Sequence, residues 1–372
     1  MSSADRERLT KWAEVDTSAI RDNVAAIRKV VGAGVQVMAM VKAEGYGHGA
    51  ALASASALEG GASWLGVSSA EEALQLRSEG FTVPILLVGW CPTGQLGPLI
   101  GAGVHLTVWT PEQIAAAAAS AGSAPALLHL KVDTGMGRLG CAPADLPWLV
   151  EAVDRAGGRA QPIGLFTHFA SADDDPAFTR LQNQRFVEAA QALRGRWPEL
   201  LLHAANSAAT LLHPETRHHL VRCGIAIYGY PPPAAARVVP LRPAMRLVAR
   251  VTQVKTVPAG DSVGYGRTWV AVRPTAVATV AAGYGDGVHR AQSNRGSLLV
   301  GGRRCPILGR VSMDQLSVDI SQAGRVRPGD EAVIFGRQGE EELGADEVAA
   351  VVGTISYEVL CAVSARVPRL SR

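Results

Sequence analysis

Short apolar runs recur along the first two-thirds of the chain, each leading into a loop and then a helix-like segment. The runs are Val35–Val41, Trp64–Val67, Pro84–Gly89, Val104–Val108, Leu127–Val132, Ile163–Thr167, Leu201–Ala205 and Val221–Ile227. Several are apolar on both faces, as buried parallel strands are. The stretches between them carry helix signals. Asp16-Thr17 precedes the amphipathic run Ile20–Val31, and Ser69 precedes an acidic first turn at Glu71 and Glu72. Thr110-Pro111-Glu112 puts proline in a first helical turn, and Gln182–Leu193 has helical spacing. Eight such units predict a closed (β/α)8 TIM-type barrel. An open doubly wound sheet needs a reversal point, and none is evident.

The alternation stops at Pro231-Pro232-Pro233, with Pro240 and Pro243 beyond it. Past these prolines the chain reads mostly as strands: Met245–Val257, Ala276–Ala282, Leu298–Val300, Arg303–Leu308 and Ala332–Phe335. Gly301-Gly302 suits a two-residue hairpin turn, Arg327–Asp330 a turn, and Ala345–Val352 a helix. The expected organisation is therefore a barrel at 1–240 and a mainly β domain at 241–372, with the first ~12 residues joining the second domain.

Composition narrows the class. Hydrophobic residues at 48% against 19% charged suit a large core, and a net charge of +3 without a basic block gives no support for a nucleic-acid or membrane partner. Five dispersed cysteines without a C-x-x-C pair point to a reducing compartment rather than a disulfide framework. The first residues lack the apolar core of a secretory signal. No apolar run reaches the ~18–20 residues of a membrane span. The expectation is a cytoplasmic protein, and no metal-ligand spacing is present.

In such a barrel the chemistry sits at the C-terminal ends of the strands. The first run ends in Val41-Lys42-Ala43-Glu44-Gly45-Tyr46-Gly47-His48-Gly49. A lysine after an apolar strand is desolvated and becomes a usable amine, able to form a Schiff base; the bland reading is a lysine that snorkels from a strand end. The fifth run leads into His129–Gly140, where Gly135, Gly137 and Gly140 match G-x-G-x-x-G. Neither the unit's position nor an acidic residue at the required distance supports a dinucleotide site. His168 follows the sixth run, His203 lies on the seventh with Asn206-Ser207 directly after it, and Arg222 with Gly224-Ile225 lies on the eighth. The hydroxyl and amides there suit a phosphate. Taken singly, Asn206 is as well explained as a helix cap, and His168 and His203 as core histidines. Tyr265, between Gly264 and Gly266, taken alone reads as a turn residue.

Together these residues resemble the alanine racemase family from about Trp12 to Arg369. The most specific pieces are VKAEGYGHG (41–49), HLKVDTGMGRLG (129–140), THFA (167–170), HAANSAA (203–209), VRCGIAIYG (221–229), VGYGRTW (263–269), GYGDG (283–287) and CPILGRVSMDQ (305–315). The resemblance implies pyridoxal 5'-phosphate bound through Lys42. It implies phosphate contacts at Tyr46, Ser207, Gly224, Ile225 and Tyr357, a ring-stacking His168 with Asn206 close by, and Arg222 facing the ring nitrogen. It implies two acid–base groups, Lys42 and Tyr265, with Tyr265 tuned through His203 and Arg222. Arg138 would reach the substrate carboxylate, Lys131 would be the lysine that many members carbamylate, and Met313 and Tyr284 would complete the pocket. Tyr265 and Met313 would come from the partner in a head-to-tail homodimer.

The implied activity is interconversion of L- and D-alanine, supplying D-alanine for peptidoglycan. Two departures bear on substrate choice: Glu44-Gly45 where members commonly have Asp-Ala, and Ser312 where they commonly have Cys. The rivals are a racemase of serine or other small amino acids, a pyridoxal-phosphate decarboxylase of the same architecture, and a non-catalytic carrier of the cofactor. Arg222 speaks against the decarboxylase and the β domain against the carrier.

Overall fold

The structure, a computed structural model, describes residues 8–372. Of the first twelve residues expected to join the second domain, 1–7 lie outside the described residues. The chain divides into two compact units. One comprises Ala19–Gly45 and Ala50–Arg242; the other comprises the segment through Ser18, Tyr46–Gly49 and Pro243–Arg372.

The first unit is the barrel. After strand β1 (Lys11–Val15), which belongs to the other unit, come β2 (Gln36–Met40), β3 (Trp64–Val67), β4 (Ile85–Leu87), β5 (Val104–Val108), β6 (Ala126–Lys131), β7 (Ala160–Phe166), β8 (Leu201–His203) and β9 (Leu220–Cys223). They form one eight-stranded parallel sheet in the order β8-β7-β6-β5-β4-β3-β2-β9. Between β8 and β9 the backbone bonds His219 N–H to Leu202 O (3.0 Å) and Arg222 N–H to Ala205 O (2.9 Å) bridge the remaining gap. Each strand overlaps one of the eight apolar runs: β3 and β5 have the bounds of theirs, β7 begins three residues before its run, and β8 ends two residues before its own. The four residues of β3 and the five of β5 are all buried, which is why the runs carry no polar alternation.

Capping explains where two helices begin. Ser69 Oγ accepts from Glu72 N–H while Glu72 Oε2 accepts from Ser69 N–H (3.2 Å), opening the helix Ala70–Ser78. Thr110 and Gln113 form the same reciprocal box ahead of Pro111–Ser120. The helical spacing at Gln182–Leu193 belongs to a longer helix, Pro176–Arg194, capped by Asp175.

The second unit holds a nine-stranded sheet. Within it β1 lies between Met245–Val257, antiparallel, and Arg369–Ser371, parallel. Ser297–Val300 and Arg303–Leu308 form the expected hairpin, with positive φ at both Gly301 (59°) and Gly302 (70°), a conformation that glycine adopts at little cost. The helix Ala345–Val352 is present. A further short helix, Ser356–Cys361, carries Tyr357 where the sequence pattern signals none. Among the described residues no helix is long and apolar enough to cross a membrane.

Candidate active site

The end of β2 is pinned before Lys42 begins. Val41 N–H donates to Gly66 O (2.9 Å), and Tyr228 Oη donates to Met40 O (3.0 Å). Lys42–Tyr46 then forms a turn of the uncommon hand: Ala43 (φ 51°, ψ 53°), Glu44 (54°, 46°), Gly45 (60°, 43°) and Tyr46 (φ 53°) all lie in the left-handed region. Gly45 N–H reaches Val41 O at 2.8 Å, closing it as a helical turn. Left-handed helix costs a residue with a Cβ roughly 1–2 kcal/mol. Outside bonds offset this: Ala43 N–H to Glu72 Oε1 (2.6 Å) and Ala50 N–H to Glu44 Oε2 (3.0 Å). Lys42 itself is half-buried. The desolvation expected at this position is more complete at Lys131, 6% exposed at the end of β6.

Phe166, at the end of β7, is the platform for the neighbouring charges. Lys131 Nζ lies 4.3 Å above its ring and the Arg222 guanidinium 5.2 Å from it, both cation–π contacts. The imidazole of His203 stacks on the same ring at 4.7 Å and 7°. Arg222 is buried and held by five contacts. Nη1 donates to His203 Nδ1 (3.0 Å) and His203 O (3.0 Å). Nη2 faces Thr167 O (2.7 Å), Ala204 O (3.0 Å) and His168 Nδ1 (3.2 Å). All of these bonds use Nη1 or Nη2, which leaves Nε–H as the donor open to a ligand.

The electrostatics favour a negatively charged ligand. Burial pushes Lys131 down to about 7, with Arg222 and Arg138 adding to the effect and Asp133 opposing it. Burial also holds His168 well below the ordinary imidazole value, and Arg222, Lys131, Arg138 and Lys42 all repel its protonated form. Four cationic groups thus converge around one neutral histidine. A site so arranged is complementary to a ligand with several negative charges. Next to it, Ser207 Oγ accepts from Gly224 N–H (3.0 Å) and Ala226 N–H (3.4 Å), which leaves the hydroxyl hydrogen free to donate. Gly224 N–H, expected to meet a phosphate, is therefore turned to Ser207. Asn206 does cap the helix Ser207–Leu212, its Oδ1 accepting from Ala209 N–H (3.0 Å).

The G-x-G-x-x-G segment is not a phosphate loop. Asp133 Oδ1 accepts from Gly135 N–H (2.9 Å) and Met136 N–H (2.8 Å), and Oδ2 accepts from Gly137 N–H (2.9 Å). The amides that would face a pyrophosphate are tied to a carboxylate. Gly140 is glycine because a Cβ would lie 2.6 Å from Asp133 N. The loop ends with Arg138 exposed.

The remaining candidates fall in the second unit. Tyr265, Tyr284 and Met313 line one cavity of about 560 Å³ together with Arg290, Arg310, Val311, Ser312 and Asp314. Tyr265 is 72% exposed and Met313 52%. Tyr284 is placed by Gly285 N–H to Met313 O (2.9 Å) and its own N–H to Ser312 O (2.9 Å). The rings of Tyr46 and Tyr357 lie 6.0 Å apart. The structure thus gathers Lys42, Lys131, Arg138, His168, His203, Asn206, Ser207, Arg222, Gly224 and Ile225 in the barrel unit. It holds Tyr46, Tyr265, Tyr284, Met313 and Tyr357 in the other. Phe166, Arg290 and Arg310 escape the sequence reading: an aromatic at a strand end and two scattered arginines carry no signal until the fold assembles them.

Known proteins match this chain over nearly all of its length. The model of the alanine racemase N-terminal domain matches residues 15–232, and that of the C-terminal domain matches 244–371. The alanine racemase of Symbiobacterium thermophilum is 43% identical over 364 residues, covering 96% of each chain. That of Desulfosudis oleivorans is 44% identical over 376 residues, again 96% of each. Among solved structures, alanine racemase from Streptomyces lavendulae is 39% identical with a TM-score of 0.92, covering 98% of this chain and 97% of that one. Alanine racemase from Bacillus anthracis with bound L-Ala-P is 36% identical with a TM-score of 0.92, covering 98% and 95%.

Proposed function

The chain belongs to the alanine racemase family and interconverts L- and D-alanine, and we propose that it does so with pyridoxal 5'-phosphate held at the barrel end and Lys42 and Tyr265 as the two acid–base groups. The observation that carries this reading is the buried Arg222, whose hydrogen bonds use Nη1 and Nη2 and leave Nε–H to a ligand, beside the Ser207 hydroxyl that is free to donate. A phosphate, a ring oxygen and a substrate carboxylate together supply the negative charge that Lys42, Lys131, Arg138 and Arg222 lack. Lys42 would hold the cofactor, with Tyr46, His168, Asn206, Ser207, Gly224, Ile225 and Tyr357 around it. Bound there, the cofactor supplies an electron sink that acidifies the alanine Cα–H.

The protein's part is to place groups. The Nε–H of Arg222 would be the donor for a ring nitrogen of the cofactor. Burial lowers the guanidinium only to about 10, so it stays charged at neutral pH. Because a guanidinium only donates, it cannot accept from a protonated ring nitrogen; the ring would stay unprotonated and a weaker sink, which would favour prompt reprotonation over decarboxylation or transamination. Racemisation needs a proton removed on one face of Cα and delivered on the other. Lys42 serves the D face, and Tyr265 serves the L face. Arg138 meets the carboxylate, with Met313 and Tyr284 bounding the pocket.

The depressed Lys131 amine is nucleophilic at neutral pH, as carbamate formation with carbon dioxide requires. The resulting anion would turn a repelling neighbour of Arg138 into a partner. The exposure of Tyr265, Tyr284 and Met313 supports a head-to-tail homodimer that covers them. Supply of D-alanine for peptidoglycan in the cytoplasm is the corresponding role.

The test is direct. The purified, cofactor-loaded protein is incubated with L-alanine in deuterated water, and chirality and Cα deuteration are followed. Formation of D-alanine with deuterium at Cα is expected; failure to form the D-enantiomer of any small amino acid overturns the reading. Serine is the second substrate to assay, because a hydroxyl is worth only ~1–3 kcal/mol of discrimination in such pockets.

A further inference from the structure

The barrel interior is dominated in general by branched aliphatic side chains. Here three buried imidazoles run through it in single file. His105 lies on β5, His129 on β6 and His203 on β8. His105 Nδ1 is 3.2 Å from His129 Nε2, His129 Nδ1 is 2.9 Å from His203 Nε2, and His203 Nδ1 is 3.0 Å from Arg222 Nη1. We propose that His129 and His105 are positioning residues for the reaction, forming with His203 a one-way hydrogen-bond ladder that fixes Arg222. This rests on the reading of Arg222 as the ring-nitrogen partner.

The direction of the ladder is set by donor arithmetic. A guanidinium only donates. His203 must therefore accept at Nδ1 and carry its hydrogen on Nε2. That hydrogen points at His129 Nδ1, which must accept, so His129 also carries its hydrogen on Nε2. The same step makes His105 an acceptor at Nδ1. One charged end sets the tautomer of three rings. The opposite phase would set an N–H of His203 against an N–H of Arg222. All three rings must be neutral for this, and burial holds each below the ordinary imidazole value, His105 at about 4.

The packing is cut to fit the ladder. The β6–β7 pairing shifts register between Leu128 and His129, opposite Pro162 and Gly164. A Cβ at Gly164 would lie 2.4 Å from His129 Nδ1, the atom that receives the His203 hydrogen. Trp64 braces the other side edge-on, 4.8 Å from His105 and 5.5 Å from His129, and its Nε1–H is anchored to Gln36 Oε1 (2.7 Å). Phe166 stacks on His203. Each ring is held in plane as well as in register. Removing His129 would leave His203 Nε2–H without its acceptor in the buried interior. His203 would then be free to flip, and Arg222 would lose the acceptor that holds Nη1.

Nitrogen-15 NMR of the imidazoles, in the protein without substrate, reads the tautomers directly. The expected result is a protonated Nε2 and a lone-pair Nδ1 on His203, His129 and His105. A protonated Nδ1 on His203 or His129 overturns the ladder whether or not any variant folds. Kinetics then test its use. His129→Leu should lower kcat for alanine roughly tenfold, with KM changed less than about twofold, and should shift the absorption band of the bound cofactor. His129→Asn keeps an acceptor near Nδ1 and should recover to within about threefold of the parent. Equal losses in both variants, or full activity in His129→Leu, would reduce His129 to packing. A protein with the expected tautomers but no racemase activity would keep the ladder and refute the functional reading.

Discussion

Replacing Ala43 by glycine should make the protein more stable. Ala43 sits at φ 51°, ψ 53° in the left-handed turn after Lys42. Its methyl is exposed, so deletion forfeits little buried area. Relief of left-handed strain is worth roughly 1–2 kcal/mol, and the added freedom of glycine in the unfolded chain removes about 0.5–1 kcal/mol of it. The net expectation is a gain of about 0.5–1 kcal/mol, read as a higher urea midpoint at unchanged slope. The reciprocal change, Gly45→Ala, introduces a Cβ at φ +60° and 2.9 Å from Ala53 Cβ. It should cost about 1–3 kcal/mol. A loss above about 1 kcal/mol in Ala43→Gly, or a neutral Gly45→Ala, would refute the claim that this turn stores strain beside Lys42. Because the turn orients Lys42, Ala43→Gly should also lower kcat while raising stability, a split that a purely structural turn would not show.

The charges dictate two further outcomes. The native pKa of Lys131 is about 7 against an unfolded value near 10.4, so between these pH values the unfolded chain binds more protons and stability should rise with pH, at up to about 1.4 kcal/mol per unit. In carbon-dioxide-free buffer Lys131→Met should lose that slope, whereas bicarbonate should abolish it in the parent and produce a carbamate signal from carbon-13 bicarbonate; a slope identical in parent and variant would show that Lys131 is not depressed. Arg222→Glu should raise transamination per racemisation event, a ratio unaffected by any unfolded fraction, and an unchanged ratio would dismiss the charge argument for reaction choice.

The barrel is legible in the sequence because burial on both faces leaves an unmistakable trace. The run at Trp64–Val67 has the observed bounds of β3, since all four residues are buried and turns flank them. The run that contains β8 is too long: after His203 the chain leaves the sheet to bring Asn206 to its helix cap, and apolar Ala204 and Ala205 disguise that exit. The left-handed turn is illegible for a different reason. Only Gly45 of its four residues advertises positive φ, and the bonds that hold Ala43 and Glu44 come from Glu72 and Ala50, which a local reading does not connect. Lys42 stands out by its strand-end position, yet the strongest desolvation falls on Lys131, whose burial depends on Phe166, thirty-five residues later. His129 and His105 attract no attention in the sequence because a lone histidine in an apolar run reads as core. Their meaning lies in the three distances that the closed barrel creates.

At the centre of the proposed mechanism, two groups exchange the Cα proton on opposite faces. The decisive experiment follows the initial rate of deuterium incorporation from each enantiomer of alanine, in deuterated water, for Tyr265→Phe beside the parent. Exchange from L-alanine should fall by orders of magnitude while exchange from D-alanine, served by Lys42, persists. Equal loss from both enantiomers would rule out the division of labour between Lys42 and Tyr265.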